Sequence, residues 1–488
     1  MTSPWYLPSA LLAVVLLLSP AVPAAAAPAP GAEADVEEQV EDYLDAMVAS
    51  GVPAVAVVLT RGEDVLASVG RGGGGEGDGG EVDARTPFRV DSLSKAFTAT
   101  AVLQLVERGA VDLETPVRSY LPELRTGDPR SDDITVRQLL NQSTGLTDPT
   151  LGFDQYAADV RTPEQAVELL RRSRLAYPPG TSWDYCNVNY WIAARLVEVV
   201  TGQEFSAYLE QQVLQPLRMH DTEQHGVPGR AVVATPTHSY AFGRAVHLGD
   251  PDYFAGGSGG VVTTAEDMGR WLRFQHGAAP THATVLGADM VREMHRRQSP
   301  LEHYPVGYAL GWWSGEPADG GVSRVSHSGT GPGSAAYAGL FPGRVGVAVL
   351  VGASGPRPDQ VGQDMYELVT DGRITETVAL PSPWRDLSLT LAMLVGALAS
   401  VRGATRARRW AARGRRRVRA LLLAPLLLPA LLIGFAPFLG GHLLGRQASW
   451  TVLWYVAPVP TAALALTAAC LLLLTGARAV VLAAPEPG

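Results

Sequence analysis

Ser92 and Lys95 are the first residues in the sequence whose types and spacing could do chemistry. The chain has 488 residues and 39 basic side chains, of which Lys95 is the only lysine. A lysine amine can give up its proton and act as a base, whereas an arginine guanidinium stays protonated. A chain that uses arginine everywhere else therefore marks Lys95 as a candidate for catalysis.

Ser92 precedes Lys95 by three residues, at the start of a helix predicted over 91–108 and ended by Gly109. Residues three apart share one helical face, so the hydroxyl and the amine can meet. The N-terminal end of a helix favours an anionic oxygen and disfavours an ammonium. Both effects suit a serine nucleophile whose proton passes to a neutral lysine. A Schiff-base or pyridoxal enzyme would also fit the lysine, but neither accounts for Ser92.

Composition excludes several other classes of protein. At 47% hydrophobic and 18% charged residues, the chain is neither disordered nor fibrous. The two cysteines, Cys186 and Cys470, exclude a disulfide scaffold and any multi-cysteine metal site. A phosphate-binding P-loop needs Gly-Lys-Ser/Thr, which the context of Lys95 does not provide. The histidines show no metal-ligand spacing, so we expect no metal and no cofactor.

Both ends of the chain predict a membrane location. An apolar run over 7–18 and an A-x-A site at 24–27 are typical of a signal peptide, with an uncleaved anchor as the alternative. The ranges 387–401, 420–444 and 450–476 hold no charged residue, and the tract 402–419 holds nine arginines and no acid. A cytoplasmic loop at 402–419 and an exported domain before it require about three spans.

The net charge of −9 is the sum of a negative charge in the first part of the chain and a positive charge in the last part. The 12 arginines and two acids after residue 384 contribute +10, which leaves −19 for the first 384 residues. An exported part this acidic is not expected to bind nucleic acid. The expected partners are a small-molecule or peptide substrate and the lipid bilayer.

The order of predicted elements indicates an α+β fold. A helix over 34–50 and strands over 52–60 and 64–70 precede a long middle of helices and loops. The chain then predicts three strands, around 324–327, 335–341 and 345–351, and a closing helix over 358–371. We expect one mixed sheet flanked by helices beside a helical subdomain. The domains would be a signal peptide (1–27), this α+β domain (28–379) and a membrane anchor (380–488).

Three motifs resemble the penicillin-recognising serine hydrolases, in the branch with class C β-lactamases, D-peptidases and related esterases. The first is TPFRVDSLSKAFT at 86–98, which carries Ser92 and Lys95. The second is Tyr185-Cys186-Asn187, which matches the family's Tyr-x-Asn element, and the third is His327-Ser328-Gly329. The resemblance implies a β-lactamase/transpeptidase-like fold.

The resemblance also implies a role for each residue. Ser92 would form an acyl-enzyme, and Lys95 and the Tyr185 phenol would share the proton relay. A phenol with an ordinary pKa of about 10 needs a neighbouring cation to become a base, which Lys95 could provide. Asn187 would hold the substrate amide or orient Lys95. The backbone N–H groups of Ser92 and Thr330 would form the oxyanion hole. The remaining substrate-binding residues would be His327, Ser328 and Gly329. On its own, Tyr185 could also be a packed aromatic residue.

His327 departs from the pattern of β-lactamases and carboxypeptidases, which usually carry lysine there to hold a substrate carboxylate. A histidine with an ordinary pKa of about 6.5 is mostly neutral at pH 7, so carboxylate recognition should be weaker.

The sequence therefore predicts a membrane-anchored, extracytoplasmic serine hydrolase acting on esters or D-amino-acid amides and peptides. The alternatives are a β-lactamase or D-Ala-D-Ala carboxypeptidase, and a penicillin-binding sensor without catalysis. Cys186, where many relatives have serine, is expected to be a small buried filler.

Overall fold

The computed structural model describes residues 36–484, except 74–79, 154, 156–158, 225–234, 250–253, 278–284, 299–305, 316–321, 375–379, 381, 413–421 and 435–448. The signal peptide predicted at 1–27 lies outside the described residues, as do parts of the tract 402–419 and of the apolar run 420–444.

The described strands and helices follow in chain order. The strands are β1 Ala54–Arg61, β2 Asp64–Gly72, β3 Phe88–Arg89, β4 Glu223–Gln224, β5 His238–Ala241, β6 Arg244–His247, β7 Val261–Thr263, β8 Val306–Tyr308, β9 Trp313–Gly315, β10 Arg324–Gly331, β11 Ser334–Phe341 and β12 Val345–Val351. The helices up to residue 372 are α1 Val36–Ser50, α2 Ser94–Glu107, α3 Val136–Leu140, α4 Pro163–Leu169, α5 Val188–Thr201, α6 Phe205–Leu209, α7 Ala265–Gln275, α8 Ala288–His295 and α9 Pro358–Asp371. The C-terminal helices are α10 Pro383–Thr405, α11 Ala407–Ala411, α12 Ala424–Gly434, α13 Trp450–Val456 and α14 Pro458–Ala483.

The main sheet has seven strands in the order β2-β1-β12-β11-β10-β9-β8. The first and last strands of the α/β region, residues 36–372, are therefore neighbours within one sheet, as the α+β prediction required. Every pairing in this sheet is antiparallel, so the expected mixture of strand directions is wrong. The short turns between β1 and β2, β10 and β11, and β11 and β12 allow only antiparallel neighbours.

Strand β1 shows why the sheet is buried on both faces. Its sequence AVAVVLTR has almost no polar residue, and seven of its eight residues are buried. Ala56 and Val58 enter one apolar core, whereas Val55 and Val57 enter another, because successive side chains point to opposite faces of a strand. Helices α1 and α9 cover the second core. Helices α2, α5 and α7 lie in the first.

Helix α2 is held in the centre of the first core. Twelve of its fourteen residues are buried, and the Phe97 ring stacks on Trp271 of α7 with 3.9 Å between ring centroids. A helix buried on all sides cannot shift without opening the core. Its N-terminal end is therefore a rigid platform for Ser92 and Lys95.

The C-terminal helices expose their apolar side chains. Helices α10 and α14, with 23 and 26 residues, are long and apolar enough to cross a membrane. Leu391 and Leu398 of α10 are 64% and 71% exposed. Of the three predicted spans, the middle one is described only as the 11 residues of α12.

Helices α10 and α14 run in the same direction. Near the start of α10, the Asp386 carboxylate accepts a hydrogen bond from the backbone N–H of Phe242. Just before the start of α14, the carbonyl of Tyr455 in α13 accepts one from Ser239. Both donors lie in the β5–β6 hairpin or its turn. Near their ends, a Cβ on Gly403 would lie 2.8 Å from the Leu474 side chain. The α/β region thus meets the start of both helices, and the tract beginning at Arg402 lies at the other end.

Candidate active site

Ser92 lies in a single 3-10 turn, Asp91–Leu93, and α2 begins only at Ser94. The predicted α-helical start at residue 91 is therefore wrong by three residues. Asp91 has a φ of +46°, in the left-handed region that an α-helix does not use. Ser92 is partly exposed, while Asp91, Leu93 and Lys95 are buried. The turn thus presents one hydroxyl to solvent from a buried platform.

Lys95 is fully buried, and its Nζ has a polar partner in each of three directions. It donates hydrogen bonds to Ser92 Oγ (3.1 Å), to Asn187 Oδ1 (2.9 Å) and to the Ser258 carbonyl (2.8 Å). These acceptors satisfy the three donors of an ammonium, which is what burial of a lysine requires. If the amine loses its proton, Ser92 can donate to it instead, and the 3.1 Å contact becomes a path for the hydroxyl proton.

Tyr185 and Asn187 lie in the loop that leads into α5. The Tyr185 ring centroid lies 4.8 Å from Lys95 Nζ. Asn187 occupies the N-cap position of α5 but makes no side-chain cap. Its amide group instead accepts from Lys95 and donates to Gln155 Oε1 at 3.1 Å. A residue type that normally stabilises a helix end is used here to hold the lysine.

Gln142 fixes this loop from the neighbouring segment. Its side-chain oxygen accepts from the backbone N–H of Cys186 (3.1 Å) and from the Asn189 amide (2.6 Å). Its carbonyl accepts from the backbone N–H of Asp184 at 3.0 Å. Cys186 is fully buried and unpaired by disulfide, and burial raises the pKa of its thiol well above the usual value. It is a small buried residue of the loop.

Three tyrosines surround the site, and their burial separates them. Burial raises the pKa of Tyr190 and of Tyr308 well above the ordinary value, so both remain neutral phenols. Tyr185 is partly exposed and its ring lies beside the Lys95 amine. Among the three, Tyr185 is the phenol placed to exchange a proton with solvent or substrate.

Strand β10 forms the opposite side of the site. Strand β9 pairs with β10 only from Arg324 to Ser326. After Ser326, the same edge of β10 faces the turn that carries Ser92. A Cβ on Gly329 would lie 2.0 Å from the Val90 carbonyl oxygen, so this close approach requires glycine. Ser328 and Thr330 are exposed. The predicted strand around 324–327 is thus extended to Gly331, and the third motif lies inside it.

His327 is buried, and both of its ring nitrogens have partners within the protein. Nδ1 lies 2.8 Å from the Ser328 carbonyl and Nε2 lies 3.1 Å from the Tyr308 hydroxyl. A carbonyl only accepts, so Nδ1 carries a proton, and a neutral ring then accepts at Nε2 from Tyr308. His327 is therefore part of the wall of the site.

Sequence reasoning missed three residues that complete the site. They are Ser258, Gln155 and Tyr308, which contact Lys95, Asn187 and His327 respectively. Ser258 contributes a backbone carbonyl, which any residue type could supply, so no sequence signal identifies it. Among the described residues, no group of three or more His, Cys, Asp or Glu side chains could hold a metal ion.

Comparison with known proteins places this geometry in a family. The sequence model of the Beta-lactamase family matches residues 36–372, which include every candidate site residue. Protein flp from Staphylococcus aureus is 23% identical over 309 residues, 61% of this chain and 59% of that protein. Penicillin-binding protein 4 from Amycolatopsis lactamdurans is 28% identical over 305 residues, 56% of this chain and 74% of that protein.

A solved structure has a similar fold over most of the same region. The D-stereospecific amidohydrolase from Streptomyces sp. superimposes with a TM-score of 0.53 and 26% identity, covering 69% of this chain and 99% of that one. The chain spans only 59% of the length of the S. aureus relative. The α+β class predicted from the order of elements and the β-lactamase-like fold implied by the three motifs are both confirmed.

Proposed function

The chain belongs to the beta-lactamase family of serine acyl-transfer hydrolases, and we propose that it is an active serine hydrolase working through an acyl-enzyme on Ser92. The observation that carries the proposal is the 3.1 Å contact between Lys95 Nζ and Ser92 Oγ. Lys95 in its neutral form takes the Ser92 proton as Ser92 Oγ attacks the substrate carbonyl. Tyr185 beside it gives its proton to the leaving group and regains one from the Lys95 ammonium. Water then attacks the acyl-enzyme carbonyl and gives a proton to the same relay, which returns one to Ser92 as the ester bond breaks.

The oxyanion of the tetrahedral intermediate is placed between the Ser92 turn and β10. The backbone N–H groups of Ser92 and Thr330 are the proposed donors, and one such donor is typically worth about 3 kcal/mol in the transition state. The close packing of Gly329 on Val90 supports this assignment, since it holds the two backbones together. Asn187, Ser328 and the face of Gly329 would align the scissile amide or ester.

We propose D-amino-acid amides or esters with an apolar side chain as the substrate class. The site is bordered by the aromatic rings of Trp183, Tyr185, Tyr308 and Trp313, with neighbouring centroids 5.1 to 6.4 Å apart. His327 already hydrogen-bonds within the protein, which disfavours a substrate carboxylate at that position. The name of the D-stereospecific amidohydrolase supports the same choice of stereochemistry.

Intact-protein mass spectrometry of the detergent-solubilised chain tests this function. We expect a D-phenylalanine amide and a p-nitrophenyl ester to give a transient adduct on Ser92 that is released as product. Ser92→Ala should abolish the adduct, while Ser206→Ala in α6 serves as the matched control. An adduct that still forms in Ser92→Ala would show that Ser92 is not the nucleophile. A permanent adduct with a β-lactam and no turnover would instead favour the sensor alternative.

We further propose that the C-terminal helices anchor the enzyme in the membrane with the α/β region outside. The shared direction of α10 and α14 supports this topology, because the hairpin contacts and the arginine tract lie at opposite ends. The positive-inside rule then assigns the tract 402–419 to the cytoplasm. A cysteine introduced at Glu63 should react with an impermeant maleimide on intact cells, and one at Arg409 only after lysis. The reverse result would contradict the topology.

A further inference from the structure

Asp91, the residue before the proposed nucleophile, is buried in an unusual backbone conformation. Its φ of +46° lies in the left-handed region, which glycine adopts freely and which aspartate and asparagine adopt more readily than most other residues. Such strain persists only where the surrounding structure holds the residue. Glycine adopts this conformation with less strain than aspartate, so the backbone of the turn alone does not require a carboxyl at this position.

The Asp91 carboxyl connects the Ser92 turn to the start of β11. Its Oδ2 accepts a hydrogen bond from Ser334 Oγ at 2.8 Å, and both residues are buried. Ser334 is the first residue of β11, directly after the β10–β11 turn. The contact therefore joins two segments that are 243 positions apart in the chain.

Strand β10 passes directly over this carboxyl. A Cβ on Gly331 would lie 2.0 Å from Asp91 Oδ1, just as a Cβ on Gly329 would lie 2.0 Å from the Val90 carbonyl oxygen. Thr330 lies between these two glycines. The carboxyl thus contacts Gly331, the residue after the proposed oxyanion donor Thr330. It belongs to Asp91, the residue before the other proposed donor, Ser92.

We propose that Asp91 is a positioning residue: together with Ser334 it fixes the spacing between the backbone N–H groups of Ser92 and Thr330. The inference rests on the proposed function, which it deepens. The carboxyl acts through Ser334 and Gly331 and does not touch the substrate. Arg89 and Lys95 are the cations whose charges act on it.

Acylation kinetics of the full-length protein in detergent test the proposal. Asp91→Ala, Asp91→Gly and Ser334→Ala should each lower the maximal rate of Ser92 acylation by a p-nitrophenyl ester about 10- to 100-fold. The half-saturating ester concentration should change by less than about threefold, because the donors act on the transition state. The double variant Asp91→Gly, Ser334→Ala should be no slower than either single variant, since both remove one contact.

Three variants separate positioning from loss of structure. Asp91→Gly keeps the left-handed turn, so it carries the test even if Asp91→Ala fails to fold. Asp91→Asn should recover part of the rate, because its amide oxygen can still accept from Ser334. Ser173→Ala removes another buried serine, which donates to the Leu151 carbonyl at 2.7 Å, and should leave the acylation rate unchanged.

The outcomes distinguish this inference from the function on which it rests. A wild-type protein that no probe acylates at Ser92 would overturn the proposed function and this inference with it. A wild-type protein that is acylated, together with Asp91→Gly and Ser334→Ala at the wild-type rate, would overturn only the role of Asp91. Rate losses that multiply in the double variant would also overturn it.

Discussion

The α/β region and the C-terminal helices place their apolar side chains in opposite environments. In β1 of the α/β region, Val55 and Val57 are fully buried, whereas in α10 Leu398 is 71% exposed. The first region supplies its own apolar surroundings by packing helices on both faces of a sheet. The second has no such cover in the described part of the chain. The lipid bilayer that we propose around it fits the length of its 23- and 26-residue apolar helices.

Hydroxyl side chains in the helices of both regions donate to the carbonyl four residues earlier, but some of those in the α/β region also reach across the fold. Thr98 donates to the Ser94 carbonyl within α2 at 3.3 Å and to the distant Gly257 carbonyl at 2.6 Å. In α14 the hydroxyls of Thr461, Thr467 and Thr475 each donate to the carbonyl four residues earlier, at 2.7 Å. These local bonds are compatible with the proposed membrane location, since a helix in lipid has no water to satisfy its hydroxyls. They do not by themselves distinguish the two regions.

The largest effect is expected at Lys95. Lys95→Arg should lower the rate of Ser92 acylation about 1000-fold, close to the loss in Lys95→Ala, because a guanidinium keeps its proton. Stopped-flow acylation with a p-nitrophenyl ester measures the rate. Arg270→Lys in α7 is the control and should acylate at the wild-type rate. If Lys95→Arg keeps more than about a tenth of wild-type activity, Lys95 does not act by accepting the Ser92 proton.

Charged substitutions compare the surroundings of the two regions directly. Leu391→Lys and Leu398→Lys in α10 should each disfavour membrane insertion by about 3 kcal/mol. Retention of the chain after alkaline carbonate extraction of membranes measures the loss. Val65→Lys, at a residue 47% exposed on β2, is the matched control and should change stability by about 0.5 kcal/mol or less. Equal, small effects in both regions would indicate that α10 faces water.

Asp91 predicts a pH dependence of stability. Burial, partly offset by Ser334, Arg89 and Lys95, raises the pKa of its carboxyl from 3.8 to about 6. Between these values the folded state binds a proton that the unfolded state has released, so this group lowers stability as the pH rises from about 4 to 6. The shift corresponds to at most about 3 kcal/mol. In urea unfolding, the free energy of unfolding of the wild type should therefore rise relative to that of Asp91→Asn as the pH falls from 7 to 4.

The Asp91→Asn comparison cancels other titrating groups. His295, whose pKa burial lowers to about 3, destabilises the folded state in acid, but it does so in both proteins. Parallel stability curves for the wild type and Asp91→Asn would show that the Asp91 carboxyl is not held in a raised-pKa environment.

The sequence predicted the elements at the two ends of the α/β region better than those of its middle, where strands β3 to β9 replace part of the expected helices and loops. Helix α1 and strand β1 follow from local periodicity, and both are confirmed within two residues. The meeting of Ser92 with Lys95 also follows from local spacing. The left-handed turn at Asp91 and the Ser258 carbonyl could not be predicted, because both depend on segments that only the folded chain brings together. The sequence likewise could not show that α10 and α14 contact the β5–β6 hairpin.

The smallest effect is expected where the two regions meet. Asp386 accepts from the backbone N–H of Phe242 at 2.8 Å and is buried, and a hydrogen bond to a charged group contributes about 1.5 to 3 kcal/mol. Asp386→Ala should speed amide exchange in the hairpin 238–247 about 10-fold, as followed by mass spectrometry, while Asp386→Asn keeps an acceptor and should change it less. Acylation of Ser92 should stay within about twofold of wild type, because none of the acceptors of Lys95 lies in the hairpin. If Asp386→Ala also lowers the rate of Ser92 acylation, the C-terminal helices and the active site are coupled. The sensor alternative requires such coupling, whereas an enzyme that is only anchored by the helices does not.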